Sequence, residues 1–310
     1  PPRSTLFPYT TLFRSYSDVP TRAIAHEMGS ALSYTPVILD DGVVQRSRKT
    51  KVLTDFTESE RPVAIQMLGK DPQRVIAACQ SLLPKRPDLF DLNLGCPARR
   101  VSSHGRGAAL LTDLDHLAHY VEQIVRALPT PVTAKIRLGW DDDSLNYLEV
   151  TRILEDSGVA AIAVHGRTKE QGYSGRANWE AIAEVKAAVK IPVLANGDVR
   201  TVADIAAIKA QTGCEAVLIG RGAVGNPWIF SRRDQADVPY AERLAMMRRH
   251  LAAMQAYHGE RVGLLIFRKH AIHYIQGFPG VMALRPRLFA CETADALLDL
   301  LDDWQPGEGE

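Results

Sequence analysis

Short apolar, β-branched segments alternate with longer segments of helical period between positions 16 and 230. Alternation of this kind is typical of βα units built around a parallel sheet. The apolar segments predict seven strands: Leu32–Leu39, Val63–Met67, Phe90–Leu94, Val132–Ile136, Ala160–Val164, Pro192–Ala195 and Ala216–Ile219. The sequence therefore favours an α/β fold with helices outside the sheet.

The segments between these strands carry recognisable helix starts. Polar residues that accept hydrogen bonds from free backbone amides precede several of them, as is common at helix N-termini. The predicted helices cover 71–83, 113–127, 144–156, 178–189 and 201–212, and a first helix over 16–28 ends at Gly29. After Phe230 the strand pattern stops, and helices are predicted over 238–258, 262–276 and 293–304. We expect a small all-helical domain after the sheet.

The start of the chain departs from this pattern. A closed (β/α)8 TIM barrel needs eight strands, yet the first helix has no strand ahead of it. Residues 1–15 repeat a Thr-Leu-Phe triplet, and the stretch from Thr5 to Ser15 resembles one reading frame of a sequencing-adapter oligonucleotide. We therefore expect an artefact over 1–15 that replaces the first strand. The predicted organisation is a TIM barrel over 16–235, a helical domain over 236–305 and an acidic tail over 306–310.

Composition narrows the class of protein. Lys and Arg number 37 against 36 Asp and Glu, and 46% of residues are apolar, which excludes a disordered chain or a polycation. The four cysteines are scattered and form no metal-binding cluster, so we expect no metal and a reducing cytoplasm. No apolar stretch reaches the roughly 18 to 20 residues of a membrane span.

The near-zero net charge hides a local asymmetry. The segment 241–290 holds eight Arg or Lys against two acids, whereas 291–310 holds seven acids and no base. A basic patch of this kind suits a polyanionic partner, although it is also compatible with an ordinary solvated surface.

Polar residues cluster at the carboxyl ends of the predicted strands. In βα barrels the loops at these ends build the active site. The candidates are Gln66, Asn93, Cys96, Lys135, Arg137, His165, Asn196, Gly197, Asp198, Gly220 and Arg221. We expect them to face one cleft.

Two of these places suggest a phosphorylated redox cofactor. The Gly220–Gly222 turn, with Arg221, follows the last strand, where barrels commonly bind phosphate; a simple chain reversal is the alternative. Lys135 points from a buried strand to the barrel mouth, either into an internal salt bridge or against an anionic ring such as a reduced flavin. No G-x-G-x-x-G fingerprint follows a strand, which argues against a tightly bound nicotinamide.

Cys96 is the candidate proton donor. It lies in a Gly-Cys-Pro turn with Arg99 and Arg100 close behind. A buried filler cysteine is the usual alternative, but a thiol in a loop over the barrel mouth can deliver a proton to a ligand.

The motifs DLNLGCPARRV, GAALL, VTAKIRLGW, VHGRTKEQGYSG, IPVLANGDV and IGRGAVGNPW, in this order, resemble those of the bacterial tRNA-dihydrouridine synthases. The similarity extends from about Tyr16 to RKHAIHYIQGFPG near Gly280. It implies an FMN-binding barrel and a helical tRNA-binding domain. The implied reaction reduces the C5–C6 double bond of tRNA uridines, with NADPH as the reductant.

The resemblance also implies roles for individual residues. Cys96 would protonate C5 while FMN gives hydride to C6. Gln66, Lys135, His165, the Asn196–Asp198 turn, Gly220 and Arg221 would hold FMN. Asn93 and Arg137 would bind the flipped uracil, and Arg268 and Lys269 would contact tRNA phosphates. Family members begin with a Pro-Met-Ala-Gly-like turn that contacts FMN, and its absence here predicts impaired FMN binding by this literal chain.

Several alternatives stay open at this point. A small-molecule FMN barrel oxidoreductase, similar to a dihydroorotate dehydrogenase, explains the phosphate turn but not the basic helical domain. A non-catalytic tRNA-binding scaffold, or a folding chaperone, explains that domain but not Cys96 and Lys135 together. HGRTKEQGY and RLGW resemble the form that modifies position 16 of tRNA, whereas RKHAIHYIQGFPG resembles the broader bacterial group. A monomer is the family expectation, and the preference for NADPH over NADH is open.

Overall fold

A parallel sheet curls at the centre of the molecule. The computed structural model describes residues 9–10, 17–45, 47–304 and 306. The strands are β1 (Tyr9–Thr10), β2 (Ser33–Tyr34), β3 (Ile38–Leu39), β4 (Val63–Leu68), β5 (Leu89–Asn93), β6 (Val132–Arg137), β7 (Ile162–His165), β8 (Val193–Asn196) and β9 (Ala216–Leu218). Hydrogen bonds connect them in the order β1-β9-β8-β7-β6-β5-β4-β2, and β3 also pairs with β4. This order is that of a (β/α)8 TIM barrel.

The predicted strand 32–39 is divided in two. Ser33 of β2 pairs with Val63, and Ile38 of β3 pairs with Met67. Strands β2 and β3 therefore pair with successive parts of β4. Pro36 lies between them and has no backbone N–H to donate, which accounts for the interruption. The two pieces therefore fill one strand position of the barrel.

Among the residues that the structure describes, the first strand position holds a two-residue strand. Tyr9 pairs with Val217 and Thr10 with Leu218, so β1 lies beside β9. Both residues belong to the stretch that resembles an adapter sequence. β1 and β2 are the two ends of the hydrogen-bonded path through the described strands.

Helices α1 to α9 surround this sheet. They are α1 (Val19–Glu27), α2 (Asp40–Val44), α3 (Arg48–Leu53), α4 (Pro72–Leu82), α5 (Arg99–Ser102), α6 (Leu114–Ala127), α7 (Tyr147–Asp156), α8 (Trp179–Ala188) and α9 (Val202–Thr212). The predicted N-terminal residues accept hydrogen bonds as expected: Asp71 from the Arg74 amide, for example, and Thr201 from the Asp204 amide. Helix α7 starts three residues later than predicted, because the Ser144 hydroxyl donates to Asp141 within a turn.

In the described part of the C-terminal domain there are four helices: α10 (Tyr240–His258), α11 (Glu260–Tyr274), α12 (Val281–Ala290) and α13 (Ala294–Asp303). The sequence pattern missed α12, because Gly280 and Pro286 are residues that normally interrupt helices. Leu284 and Leu288 nevertheless lie one turn apart and are buried in the core of this domain. Tertiary packing therefore stabilises a helix that local propensity disfavours.

The helical domain packs against the barrel through α1. Arg249 of α10 pairs with Glu27, and His258 Nε2 lies 2.8 Å from Asp18 Oδ2. Each unit has its own apolar core. Among the described residues, no helix is both long and apolar enough to cross a membrane.

Candidate active site

A cleft of about 1020 Å³ opens at the carboxyl ends of the strands. It is at the upper end of the volumes usual for small-molecule sites. Every residue predicted for the site lines it, apart from Arg268 and Lys269: Gln66, Asn93, Cys96, Lys135, Arg137, His165, Asn196, Gly197, Asp198, Gly220 and Arg221. The parallel strands bring these residues together from distant parts of the sequence.

A chain of polar side chains lies at the base of the cleft. Thr133 Oγ1 donates to Asp91 Oδ1 at 2.6 Å, and Gln66 Nε2 donates to Asp91 Oδ2 at 2.8 Å. Asn93 Nδ2 donates to Gln66 Oε1 at 2.8 Å, and the Gly95 amide donates to Asn93 Oδ1 at 3.3 Å. Sequence reasoning missed Asp91. The signal was a charged residue between the apolar Phe90 and Leu92 inside the strand Leu89–Asn93.

Lys135 provides a positive charge in the same interior. Burial and the neighbouring Arg137 lower the pKa of Lys135 to about 8, although Asp91 acts in the opposite direction. Burial raises the pKa of Asp91 to about 6, while hydrogen bonds from Thr133 and Gln66 and the charge of Lys135 limit the increase. Both groups are charged between these two values, and an anionic ligand would help to keep Lys135 protonated.

His165 is a neutral imidazole. Burial, followed by the charges of Lys135, Arg137 and Arg167, holds the pKa of His165 far below its ordinary value. Its Nε2 lies 3.3 Å from Arg167 Nη1. Because a guanidinium can only donate, Nε2 accepts and the ring proton is on Nδ1. His165 therefore offers the cleft a neutral polar ring rather than a charge.

Arg167 holds two loops of the cleft in place. The residue is 1% exposed, and its guanidinium donates to the carbonyls of Ser174 and Gly175 and to both carboxylate oxygens of Asp198. Burial alone raises the pKa of Asp198, but hydrogen bonds from the Ala177 amide and Arg167 lower it below 3.8 overall. The Asp198 carboxylate is thus engaged inside the protein as well as lining the cleft.

Cys96 lies against Gly107, at a position that favours glycine. It is half-buried, and its carbonyl accepts from the Ala108 amide at 3.4 Å. Gly107 has φ +62°, and a Cβ there would come within 2.9 Å of Cys96 Cβ. Glycine is therefore the residue that allows this close approach. The sequence pattern places the other three cysteines, Cys79, Cys214 and Cys291, within or beside helical segments rather than at strand ends. In the structure Cys79 and Cys214 are buried, whereas Cys291 is partly exposed.

Arg137 is more deeply held than predicted. Its Nε donates to the Gly95 carbonyl at 2.9 Å, and its Nη1 donates to the carbonyls of Thr168 and Gly172. Burial lowers the pKa of Arg137 to about 10, so it stays a cation. Tyr173, which the sequence pattern did not single out, lies with its ring below both Arg137 and Arg221, at 5.7 and 4.8 Å from their guanidinium carbons.

The glycine-rich turn leaves room for a ligand. A Cβ at Gly220 would meet nothing within 4 Å, whereas one at Gly222 would come within 2.3 Å of the Val199 carbonyl oxygen. Arg221 is 45% exposed and lies 3.6 Å from Asp198. On the adjacent strand, Asn196 Nδ2 donates to the Leu218 carbonyl at 2.8 Å. Open space, glycine backbone and a cation are what a phosphate site needs.

Arg268 and Lys269 lie on α11, outside the cleft. Arg268 donates to the carbonyls of Phe289 and Cys291, where helix α12 ends. Lys269 is exposed. Three more of the basic residues counted in this domain are also engaged: Arg243 with backbone carbonyls, Arg248 with Asp302 and Arg249 with Glu27. The basic surface is therefore smaller than the sequence count predicts.

The fold and the cleft define a class of protein, the βα-barrel enzymes with an active site at the carboxyl ends of the strands. The sequence profile described as "Dihydrouridine synthase (Dus)" matches residues 13–305. The chain belongs to the dihydrouridine synthase family, which confirms the resemblance found in its motifs.

Several curated proteins are similar over most of their length. The "tRNA-dihydrouridine synthase B" of Xanthomonas campestris is 37% identical, over 93% of this chain and 89% of that protein. The protein of the same name from Pseudomonas aeruginosa is 35% identical, over 90% and 87%. The "Probable tRNA-dihydrouridine synthase 1" of Synechocystis is 34% identical, over 91% and 81%.

Proposed function

We propose that this protein is a flavin-dependent tRNA-dihydrouridine synthase. Relatives that it matches along most of their length are named tRNA-dihydrouridine synthases, one of them as probable. The observation that carries the proposal is the convergence of a thiol, a buried lysine and a phosphate-suited glycine turn in one cleft. A non-catalytic scaffold would not require these three groups to line the same cavity.

The residues of the cleft fit FMN. The Gly220 backbone, Arg221 and the Asn196–Asp198 turn would receive the phosphate. Gln66, Lys135 and the neutral His165 would contact the ring system, and Lys135 would balance the negative charge of its reduced form. When bound, FMN would supply the hydride for uracil C6, and NADPH is the proposed reductant that renews it.

The protein groups around the uracil would bind it and deliver a proton. A uridine must leave its stack to enter a cleft of this kind. Asn93 and Arg137 would hydrogen-bond the polar edge of the base, and the Cys96 thiol would give its proton to C5. The C5–C6 double bond thereby gains two electrons and two hydrogens. The half-buried thiol can recover a proton from solvent.

The helical domain is the proposed contact for the remainder of the tRNA. Lys269 and three other exposed cations, Arg261, Arg285 and Arg287, lie on α11 and α12. Arg268 also belongs to this proposed contact, although its guanidinium already donates to two carbonyls.

Lys269→Glu should weaken tRNA binding. The slope of the logarithm of the affinity against the logarithm of the salt concentration should decrease in magnitude by about one, because one fewer counterion is released. A filter-binding titration from 50 to 200 mM salt measures both, and an unchanged slope would mean that Lys269 does not contact the tRNA.

We also propose that the protein is a monomer that acts in the cytoplasm.

Replacement of Cys96 tests the chemistry directly. Cys96→Ala should lower the rate of dihydrouridine formation by roughly 10²- to 10⁴-fold, the usual contribution of a general acid. Bound flavin, read from its visible absorbance after desalting, should stay at the wild-type level. Cys79→Ala is the matched control, because Cys79 is buried away from the cleft.

Two outcomes would contradict the proposal. A folded protein that retains no flavin even after residues 1–15 are replaced by a family-like first strand ending in a Pro-Met-Ala-Gly-like turn would exclude the flavin reaction. A Cys96→Ala variant that forms dihydrouridine at the wild-type rate would exclude Cys96 as the proton donor while leaving the remainder of the function intact.

A further inference from the structure

A carboxylate that does not line the cleft occupies the middle of its polar base. Asp91 is 0% exposed, and it is a buried acid inside a barrel strand. Its two oxygens accept from side chains of both neighbouring strands, Thr133 of β6 at 2.6 Å and Gln66 of β4 at 2.8 Å. A buried ionised group is costly unless its hydrogen bonds are satisfied, and here both oxygens have partners.

We propose that Asp91 is a positioning residue that fixes the side-chain amides of Gln66 and Asn93, and with them the donors and acceptors presented to the flavin and to the uracil. The proposal rests on the function proposed above, because it assigns Asp91 a role through a cofactor-facing amide and a substrate-facing amide. The catalytic and binding residues named so far do not include it.

The order of donors follows from the chemistry of the carboxylate. An ionised carboxylate only accepts, so Gln66 must turn its NH₂ group towards Asp91. Gln66 Oε1 then faces Asn93, which must donate through Nδ2 at 2.8 Å. Asn93 Oδ1 in turn accepts from the Gly95 amide at 3.3 Å, one residue before Cys96. One negative charge thereby sets the orientation of two amides that could otherwise invert.

The surroundings of Asp91 make this orientation depend on its protonation. Tyr34 of β2 and Lys135 of β6 are the titratable groups that act on it, and Tyr34 stays protonated because burial raises its pKa. Burial raises the pKa of Asp91 to about 6. A protonated carboxyl can donate as well as accept, so below this value Gln66 loses its reason to face one way. A purely packing role would not change with pH in this range.

The test measures FMN affinity by quenching of flavin fluorescence from pH 5 to 9. The variants are Asp91→Asn, Thr133→Val and Thr133→Ser. The amide introduced by Asp91→Asn keeps the shape of the carboxylate but can donate or accept, so Gln66 is no longer fixed. Thr133→Val removes a hydrogen bond that favours the ionised carboxylate, and Thr133→Ser is the control that retains it. The phosphate of free FMN also titrates near pH 6, but this effect is common to all four proteins.

We expect Asp91→Asn to bind FMN at least ten-fold more weakly at pH 7.5. Its affinity should change less between pH 5 and 7 than that of the wild type, and its KM for tRNA should rise. We call the fall in FMN affinity at low pH the acid limb of the affinity curve. Thr133→Val should move this limb to higher pH, and Thr133→Ser should not. If Asp91→Asn does not fold, the movement of the limb in Thr133→Val decides the question.

The proposal is overturned if Asp91→Asn binds FMN within two-fold of the wild type with the same pH profile. It is also overturned if the limb is the same in Thr133→Val and Thr133→Ser. If neither the wild-type chain nor a chain in which a family-like first strand replaces residues 1–15 binds FMN at any pH, the proposal is overturned together with the proposed function. Wild-type binding with unaffected variants overturns the role of Asp91 alone.

Discussion

The ionised Asp91 carboxylate lowers the stability of the folded protein, while in the proposed role it fixes the orientation of the Gln66 and Asn93 amides. Its pKa is raised from 3.8 to about 6 in the folded protein, so folding disfavours its ionised form. The folded state therefore binds this proton more tightly, and the stability cost is absent below pH 3.8 and complete above pH 6. A difference of one pH unit between the pKa of a group in the folded state and its pKa in the unfolded state corresponds to about 1.4 kcal/mol of stability.

From this raised pKa we predict that Asp91→Asn increases the free energy of unfolding at pH 8 by about 1 to 3 kcal/mol. The gain should shrink as the pH is lowered from 6 to 4, since the wild-type carboxyl then becomes neutral. Urea denaturation at pH 8 and pH 5 measures the difference. A loss of stability at pH 8 would show that the charged hydrogen bonds outweigh the cost of burial.

Gly107 offers a second prediction at the scale of one residue. Gly107→Ala places a methyl group within 2.9 Å of Cys96 Cβ, in a backbone conformation with φ +62°. The positive φ should cost about 1 to 2 kcal/mol, and the displaced thiol should lower the rate of uridine reduction at least ten-fold. Thermal unfolding and single-turnover kinetics measure the two effects.

Gly105 supplies the matched control for this substitution. It also has a positive φ, +71°, but a Cβ there would meet only the Lys70 side chain, at 3.5 Å. Gly105→Ala should therefore lose similar stability and retain the reaction rate. Equal rate losses in the two variants would point to the strained loop rather than to the contact with Cys96.

At the scale of elements, a buried ion pair connects α1 to the turn before β4. Arg22 Nε lies 2.6 Å from Glu60 Oε2, and both side chains are at most 1% exposed. Arg22 also donates to the Ser17 and Asp55 carbonyls, and Glu60 accepts from the Thr57 amide. Each guanidinium nitrogen and each carboxylate oxygen therefore has a hydrogen-bond partner, as burial of two charges requires.

Glu60→Gln should therefore destabilise the protein by about 3 to 5 kcal/mol, because Arg22 would stay buried without its counter-charge. Glu58→Gln is the control in the same turn: Glu58 is 75% exposed and pairs with Arg61, so its loss should cost under about 1 kcal/mol. Chemical denaturation compares the two. A Glu60→Gln protein as stable as the control would mean that the pair contributes no net stability.

The elements also show where local sequence signals fail. Asp71, Asp113, Asn178 and Thr201 mark their helices correctly, because a side-chain oxygen that accepts from a nearby amide is a local interaction. Helix α12 escaped notice, since its stability comes from Leu284 and Leu288 in a core that other helices complete. Local chemistry predicts starts and ends, whereas packing decides which weak helices form.

At the scale of the whole molecule, Asp18 connects the barrel to the helical domain. It accepts from the Thr21 amide at the start of α1 and lies 2.8 Å from His258 of α10. Burial by itself would raise the pKa of Asp18. Hydrogen bonds from His258 and Thr21 have the opposite and larger combined effect, so the pKa is lowered to about 2 overall. Because the folded-state pKa is depressed, this stabilisation is present above pH 3.8 and is lost as the pH falls towards 2.

Asp18→Asn should remove about 2 kcal/mol of stability at pH 6 while preserving the N-cap, since Asn caps helices as well as Asp does. The wild type should lose this advantage between about pH 5 and pH 2, and the variant should not. Guanidinium denaturation across that range measures both slopes. Parallel slopes for the two proteins would contradict a charged contact at this interface.

The sequence by itself determined the βα alternation, the strand-end cleft residues and the family motifs, because these depend on local periodicity and on residue types at short spacing. Only the tertiary structure decided which side chains those residues contact. It gave Arg268 two carbonyl acceptors, engaged Arg137 with three backbone oxygens and placed Asp91 between strands far apart in the chain. Such partners come from pairing across the barrel and packing between domains, and no local pattern encodes those distances.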